Sequence, residues 1–242
     1  MRGQFASPQQ ARRSVPRLGA RLIEMEPRDA DLAREAARNA LVVGAGPAGL
    51  AATYELRRAG IDAMILERGT RAGEAWRARH EDLRLNTIRW LSGLPGSPMP
   101  ARFGRWVGRD DYVAYLEDYA KLNDLSIEFD VEVRRIDRVG SVWQLDTTRG
   151  ARRAGDVVIA TGHDRIPAVP VWPGAAAFRG EIRHVASVVR PRDFTGQDVL
   201  VVGGGNSGVE WVEHLVRIGA HSVWLSVRRP PNLVPRFSTT PT

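Results

Sequence analysis

The chain of 242 residues contains no cysteine. That excludes disulfide staples, thiolate metal centres, and enzymes that pass electrons through a redox-active cysteine pair. Lysine is almost missing too: Lys121 is the single one, so arginine carries the formal charge of +7. The arginines are spread along the chain beside acids, and no nucleic-acid module accompanies them. No nucleic-acid partner is therefore expected, although the charge would assist anionic ligands. No apolar run approaches the length of a membrane span and no secretory h-region is visible, which predicts no membrane partner and a cytoplasmic setting. The five histidines offer no evident metal set. Glu210 and His214 share a helix face, but without a third ligand they read as surface neighbours, and no metal is expected. Ser207 is not a hydrolase nucleophile, because a G-x-S-x-G elbow needs glycine where Val209 stands.

What is present is glycine in two ordered places. Ala40 to Val43 reads as a buried parallel strand, apolar throughout because both faces are covered. Gly44-Ala45-Gly46-Pro47-Ala48-Gly49 follows with G-x-G-x-x-G spacing, and Leu50 to Arg58 carries a helical pattern. The first glycine permits a tight turn, the second lets the backbone approach a pyrophosphate, and the third lets helix and strand pack closely. Ile61 to Leu66 is the next strand, with Glu67 at its carboxyl end. There a carboxylate would accept a ribose 2′-OH, unless the loop is an ordinary turn and the acid unrelated.

The same grammar recurs. Asp198 to Val202 is a strand, Gly203-Gly204-Gly205-Asn206-Ser207-Gly208 the loop, Ser207 to Ile218 a helix, and Ser222 to Val227 a strand. Arg228 and Arg229 stand where the first unit has its acid. Guanidinium groups form bidentate contacts with a 2′-phosphate that a carboxylate would repel. The first loop therefore suits FAD and the second suits NADPH over NADH; the competing reading of Arg228 is a solvated surface charge.

These segments predict an α/β fold: two Rossmann-like dinucleotide-binding units with parallel sheets, a small β-meander, and an incomplete second unit. Residues 1–38 are expected to be a basic, disordered extension with a short helix from Pro27 to Asn39. Transit-peptide-like composition and an alternative start at Met25 are also compatible with that stretch. Residues 39–165 would form the FAD-binding domain and 166–242 a partial NADPH-binding domain, with the proline-rich Ile166 to Gly174 as the crossover. Gly73 to Pro100 is a long connection beside the first loop, of the kind that often carries function. Asp110 to Leu122 reads as an amphipathic helix burying Tyr112, Val113, Leu116, Tyr119 and Ala120. Ile127 to Val133 reads as one strand, Val142 to Thr147 as part of a meander, and Asp156 to Ala160 as a further buried strand.

From Leu41 to about Arg236 the chain resembles the flavin-containing monooxygenase family, in particular its YUCCA-like branch. Phe178-Arg179-Gly180-Glu181-Ile182-Arg183-His184 fits the family's F-x-G-x-x-x-H signature, with Val188 where an aromatic residue is usual. Gly73-Glu74-Ala75-Trp76 is similar to its G-G-x-W flavin contact, departing at Glu74, and Ala160-Thr161-Gly162 matches its A-T-G linker. Asn86 aligns with an asparagine the family uses beside the flavin and NADP⁺; a loop-capping amide is the alternative. His184 reads as a packing or hinge residue. The resemblance implies an oxidoreductase, a flavoprotein monooxygenase in which NADPH reduces FAD and O₂ is held as a C4a-hydroperoxyflavin that oxygenates a small organic substrate. Gly44, Ala45, Gly46, Pro47, Ala48, Gly49, Glu67, Trp76, Thr161 and Gly162 would then serve FAD. Gly203, Gly205, Asn206, Ser207, Gly208 and Arg228 would serve NADPH, with Asn86 as the catalytic residue where the rings meet.

The family continues past the point where this chain stops. The FAD sheet is thus expected to lack its closing strand and to leave an open edge and an uncovered apolar face. A C-terminal complement is a possible partner. The alternatives to a monooxygenase are a catalytically incompetent FAD/NADP-binding remnant and a flavin-dependent NADPH reductase.

Overall fold

The computed structural model describes residues 39–162 and 166–229. The basic extension and the helix expected ahead of Asn39 lie outside the described residues. The chain builds β1 (Asn39–Val43), α1 (Pro47–Arg58), β2 (Asp62–Leu66), the short α2 (Glu74–Arg77) and α3 (Arg109–Leu122). It continues with β3 (Ser126–Glu128), β4 (Val133–Val139), β5 (Val142–Thr147), β6 (Gly150–Ala154) and β7 (Asp156–Ile159). After an irregular crossover come β8 (Asp198–Val202), α4 (Asn206–Arg217) and β9 (Ser222–Ser226).

Four parallel strands form the first sheet in the order β3-β2-β1-β7. Side chains alternate across it, as strand geometry requires. Val42 and Ile65 join the core beneath α1 and α3 with Leu50, Leu116 and Tyr119. Leu41, Val43 and Leu66 turn to the other face and pack on Val131, Leu145 and Ala154. The antiparallel meander β4-β5-β6 covers that second face. The layers are helices, parallel sheet and meander.

One expected strand divides in two. Ile127 to Val133 is interrupted because Asp130 takes a left-handed backbone at φ 58°. Its N–H donates to Gly69 O at 3.1 Å, and the Val131 N–H to Glu67 O at 2.9 Å. The chain thereby leaves the parallel sheet at Glu128 and starts the meander as β4.

Helix α3 has Asp110 and Asp111 in its first turn and Lys121 in its last, which suits the helix dipole. It buries the five expected residues and Tyr115 as well. Its tyrosines pin the long connection. Tyr115 Oη accepts from the Leu94 N–H at 2.6 Å and donates to Ser97 O at 2.5 Å, while Tyr119 Oη donates to Pro95 O at 2.9 Å. Burial pushes the Tyr112 phenol up to about 12 and that of Tyr119 up as well.

The second sheet holds β8 and β9 in parallel. Val199, Val201 and Val223 pack under α4 with Trp211 and Leu215. The alternate residues Leu200, Val202 and Trp224 face outward at 61%, 55% and 67% exposure. Ile159, on edge strand β7, is exposed as well. Among the described residues, β7 is thus an edge strand and the outer face of β8–β9 is apolar and exposed.

Candidate functional site

The two glycine loops fold alike. Gly44 N–H donates to Leu66 O at 2.9 Å, and Gly203 N–H donates to Ser226 O at 2.9 Å. Each therefore links the loop to the last residue of the neighbouring parallel strand. Both glycines have left-handed backbones, φ 106° and 113°, which a side chain would strain. A Cβ on Gly49 would lie 1.9 Å from Gly44 O, and one on Gly208 would lie 1.9 Å from Gly203 O. The third glycine of each motif is thus the point where helix meets loop.

Gly46 and Gly205 are different. Each is the N-cap of its helix, with φ −80° and −75°, and makes no side-chain cap. A Cβ on either would meet no described atom within 4 Å. Among the described residues, nothing fills the space beside these two glycines, and neither helix N-terminus has a side-chain cap. That is the form of an anion cradle. Pro47 opens α1 with one N–H fewer, whereas Asn206 opens α4 with its amide intact. Ala45 is buried in its loop, while Ala48, Asn206 and Ser207 are exposed in the first turns of their helices.

Glu67 stands at the carboxyl end of β2, buried to 9% exposure. Its Oε2 accepts from the Ala45 N–H at 2.6 Å and its Oε1 from the Gly69 N–H at 2.7 Å. The carboxylate braces the glycine loop, and each oxygen keeps a further lone pair for a hydroxyl. Ala160 O and Thr161 Cα lie within 2.8 and 3.5 Å of where a Gly44 Cβ would sit, so the Ala160-Thr161-Gly162 turn closes against the first loop. Trp76, in α2, is half-buried with its ring edge-on to Tyr112 at 4.7 Å. The Gly73 N–H donates to Ala45 O at 2.9 Å, which brings that helix to the same loop.

Asn86 is exposed in a bend. The residues before it are held by an Arg84–Gly108 antiparallel bridge and by the Leu85 N–H donating to Val107 O at 2.8 Å. Arg228 is exposed just beyond β9, two residues past Ser226. In the F-x-G-x-x-x-H stretch, the Phe178 ring lies 2.6 Å from where a Gly180 Cβ would be, so the glycine makes room for that ring. His184 accepts from the Ala186 N–H at 3.1 Å through Nδ1 and caps a short 3-10 turn. Val188, in place of the usual aromatic, is buried against Trp211 and Leu215.

One reading of the sequence is corrected. Glu210 and His214 are not surface neighbours: His214 is 5% exposed, and His80, at 6%, completes a cluster of three. Glu210 Oε1 lies 3.6 Å from His214 Nε2 and 4.0 Å from His80 Nε2. Burial lowers the His80 pKa, against an opposing pull from Glu210. Burial alone would raise that of Glu210, but His214, His80 and the Arg84 backbone N–H outweigh it and the net direction is down. His80 lies about 130 residues from Glu210 in the chain, so helical spacing alone could not reveal it.

Fold and site together define a protein of the two-dinucleotide Rossmann class. The chain belongs to the pyridine nucleotide-disulphide oxidoreductase family, whose profile matches residues 41–234. Its relatives include proteins named as monooxygenases. It is 36% identical over 201 residues to indole-3-pyruvate monooxygenase YUCCA1 of Oryza sativa subsp. japonica, covering 81% of this chain and 49% of that one. It is 34% identical over 170 residues to an uncharacterized CzcO-like oxidoreductase of Geobacillus kaustophilus (strain HTA426), covering 70% and 49%. Among solved structures it resembles the flavin-containing monooxygenase of Stenotrophomonas maltophilia at 30% identity and a TM-score of 0.75, covering 81% of this chain and 59% of that one. The chain spans about half the length of the curated relatives it matches. No helix among the described residues is long and apolar enough to cross a membrane.

Proposed function

We propose that this chain is the dinucleotide-binding part of an NADPH- and FAD-dependent monooxygenase that oxygenates a small organic substrate with O₂. The observation that carries this reading is the matched pair of open cradles at Gly46 and Gly205, each in front of an uncapped helix N-terminus. Gly44 to Gly49 would hold the FAD pyrophosphate, Glu67 its ribose, and Trp76, Thr161 and Gly162 would line the same cofactor. Gly203, Gly205, Asn206, Ser207 and Gly208 would hold the NADPH pyrophosphate, with Arg228 on its 2′-phosphate. Asn86 would serve where the two rings approach. When bound, the flavin supplies hydride acceptance and oxygen activation at C4a. The chain's own residues bind, orient and exclude water. Without cysteine, no thiol–disulfide relay runs through this chain.

A second reading, a nucleotide-binding module without turnover, is favoured by the second sheet, which holds two strands among the described residues and exposes Leu200, Val202 and Trp224. The experiment that separates the readings is purification of the chain, a visible spectrum, and NADPH-dependent oxygen uptake. Bound flavin with NADPH-dependent uptake and an oxygenated product supports the enzyme. Bound flavin that NADPH cannot reduce supports the module. A flavin reduced by NADPH that gives no oxygenated product with amines, thioethers or ketones supports a reductase. A well-folded chain that retains neither nucleotide overturns all three.

A further inference from the structure

We propose that His80, Glu210 and His214 form a binding site for one divalent transition-metal ion of the zinc type, which clamps the connection after α2 to helix α4. Their donor atoms all lie within 4.8 Å of one another, although His80 and the other two come from distant parts of the chain. The separations of 3.6 and 4.0 Å from the Glu210 oxygen are too long for good hydrogen bonds. The first lies at the upper end of the donor–donor spacing of about 3.3–3.6 Å that tetrahedral zinc imposes with bonds near 2.0–2.2 Å, and the second must close by a few tenths of an ångström to reach it. Two imidazoles and a carboxylate are a borderline donor set, which suits zinc or cobalt(II) rather than calcium or magnesium.

The surroundings point the same way. His214 Nε2 is buried and has no hydrogen-bond partner. A buried imidazole nitrogen without a partner is costly, and a metal at Nε2 of His214 would satisfy it. The Arg84 backbone N–H reaches the Glu210 carboxylate and fixes its orientation, as an outer-shell partner does. The same junction is already laced by the Glu81 N–H donating to Val189 O at 3.0 Å and by Arg192 at 3.8 Å from Glu81.

One side chain opposes the ion. The Arg217 guanidinium contacts His214 Nδ1 and, as a donor, holds the ring in the tautomer with its proton on Nε2. Metal ligation through Nε2 requires that proton on Nδ1. Arg217 must therefore leave the ring for Asp82, whose Oδ2 is already 3.7 Å from Nη2. Arg217 thus lowers the affinity of the site for the ion.

The test uses the full chain without a polyhistidine tag, stripped by chelator and titrated with zinc and with cobalt(II). One ion per chain is expected, with the intense visible bands of four-coordinate cobalt(II). Glu210→Gln and His214→Ala should each weaken binding at least tenfold, and Arg217→Ala should tighten it. His184→Ala and His221→Ala should leave it unchanged. Absence of binding at 100-fold excess zinc over protein overturns the site. So does binding that survives Glu210→Gln, a pale six-coordinate cobalt spectrum, or an Arg217→Ala chain that binds no tighter than the parent.

Discussion

Gly46 and Gly49 stand three residues apart and answer to different demands. Gly46 has an ordinary extended backbone and faces open space, so alanine fits the apo fold there. It should even stabilise it by about 0.4–1 kcal/mol through the unfolded chain. Yet its methyl would occupy the room a pyrophosphate needs. Gly46→Ala is expected to melt no lower than the parent chain while losing most of its bound flavin, read by thermal denaturation and visible absorbance. Gly49→Ala places a Cβ 1.9 Å from Gly44 O, and should lose both stability and flavin. Arg228→Ala is a third test at this scale. Losing a charge-assisted contact worth about 1.5–3 kcal/mol should weaken NADPH some 10- to 150-fold while leaving NADH nearly unaffected, measured by titration. His221 offers a pH test. Its Nδ1 lies 2.6 Å from Asp198 Oδ1, a hydrogen bond that raises the imidazole pKa; a Ser222 hydrogen bond and His221 lower that of the carboxylate. The pair contributes only between the lowered carboxylate pKa and the raised imidazole pKa. It is lost as pH falls through the first or rises through the second. Both groups are fully solvated, so the effect on stability is small, but proton NMR should show the His221 shift vanish in Asp198→Asn.

Among the elements, helix α3 does the most to hold the site's long connection in place. Leu116 is fully buried, and its Cδ1 lies 3.0 Å from where a Gly73 Cβ would be. Leu116→Ala should therefore cost about 2–5 kcal/mol and loosen the turn that carries Trp76, checked by denaturant melts and Trp fluorescence. This helix was legible from its sequence because its apolar residues repeat at helical spacing around paired acids and a terminal lysine. The two glycine loops were legible for a similar reason: the first and third glycine of each motif answer to a local backbone constraint, and the second to the approach of an anion. The break at Asp130 was not, since nothing in Ile127 to Val133 shows that one residue will turn left-handed to meet Gly69 O. Nor was the bracing of Ala45 by Glu67, which depends on two strands being neighbours. His80 was invisible for the same cause. Its partners are brought to it by packing between segments, which period and motif do not encode.

For the molecule as a whole, the β8–β9 face is the feature with the plainest physical consequence. Leu200, Val202 and Trp224 present a contiguous set of alternate residues to solvent. Such a patch favours association or a covering segment. Replacing Leu200 and Trp224 by serine should lower the fluorescence of a hydrophobic-surface dye and reduce self-association in sedimentation. Stability should change by no more than about 0.5 kcal/mol, as for other exposed positions. The same pair of serines should abolish complementation by a C-terminal segment, if such a segment docks there. The first residues of the two cradle helices, Pro47 and Asn206, suggest a division of labour in time. A ring-locked start gives up little freedom when its anion arrives, so the tenant of the first loop should depart slowly. The start of α4 offers one more N–H donor but lacks the ring that locks the start of α1, which suits a molecule that comes and goes.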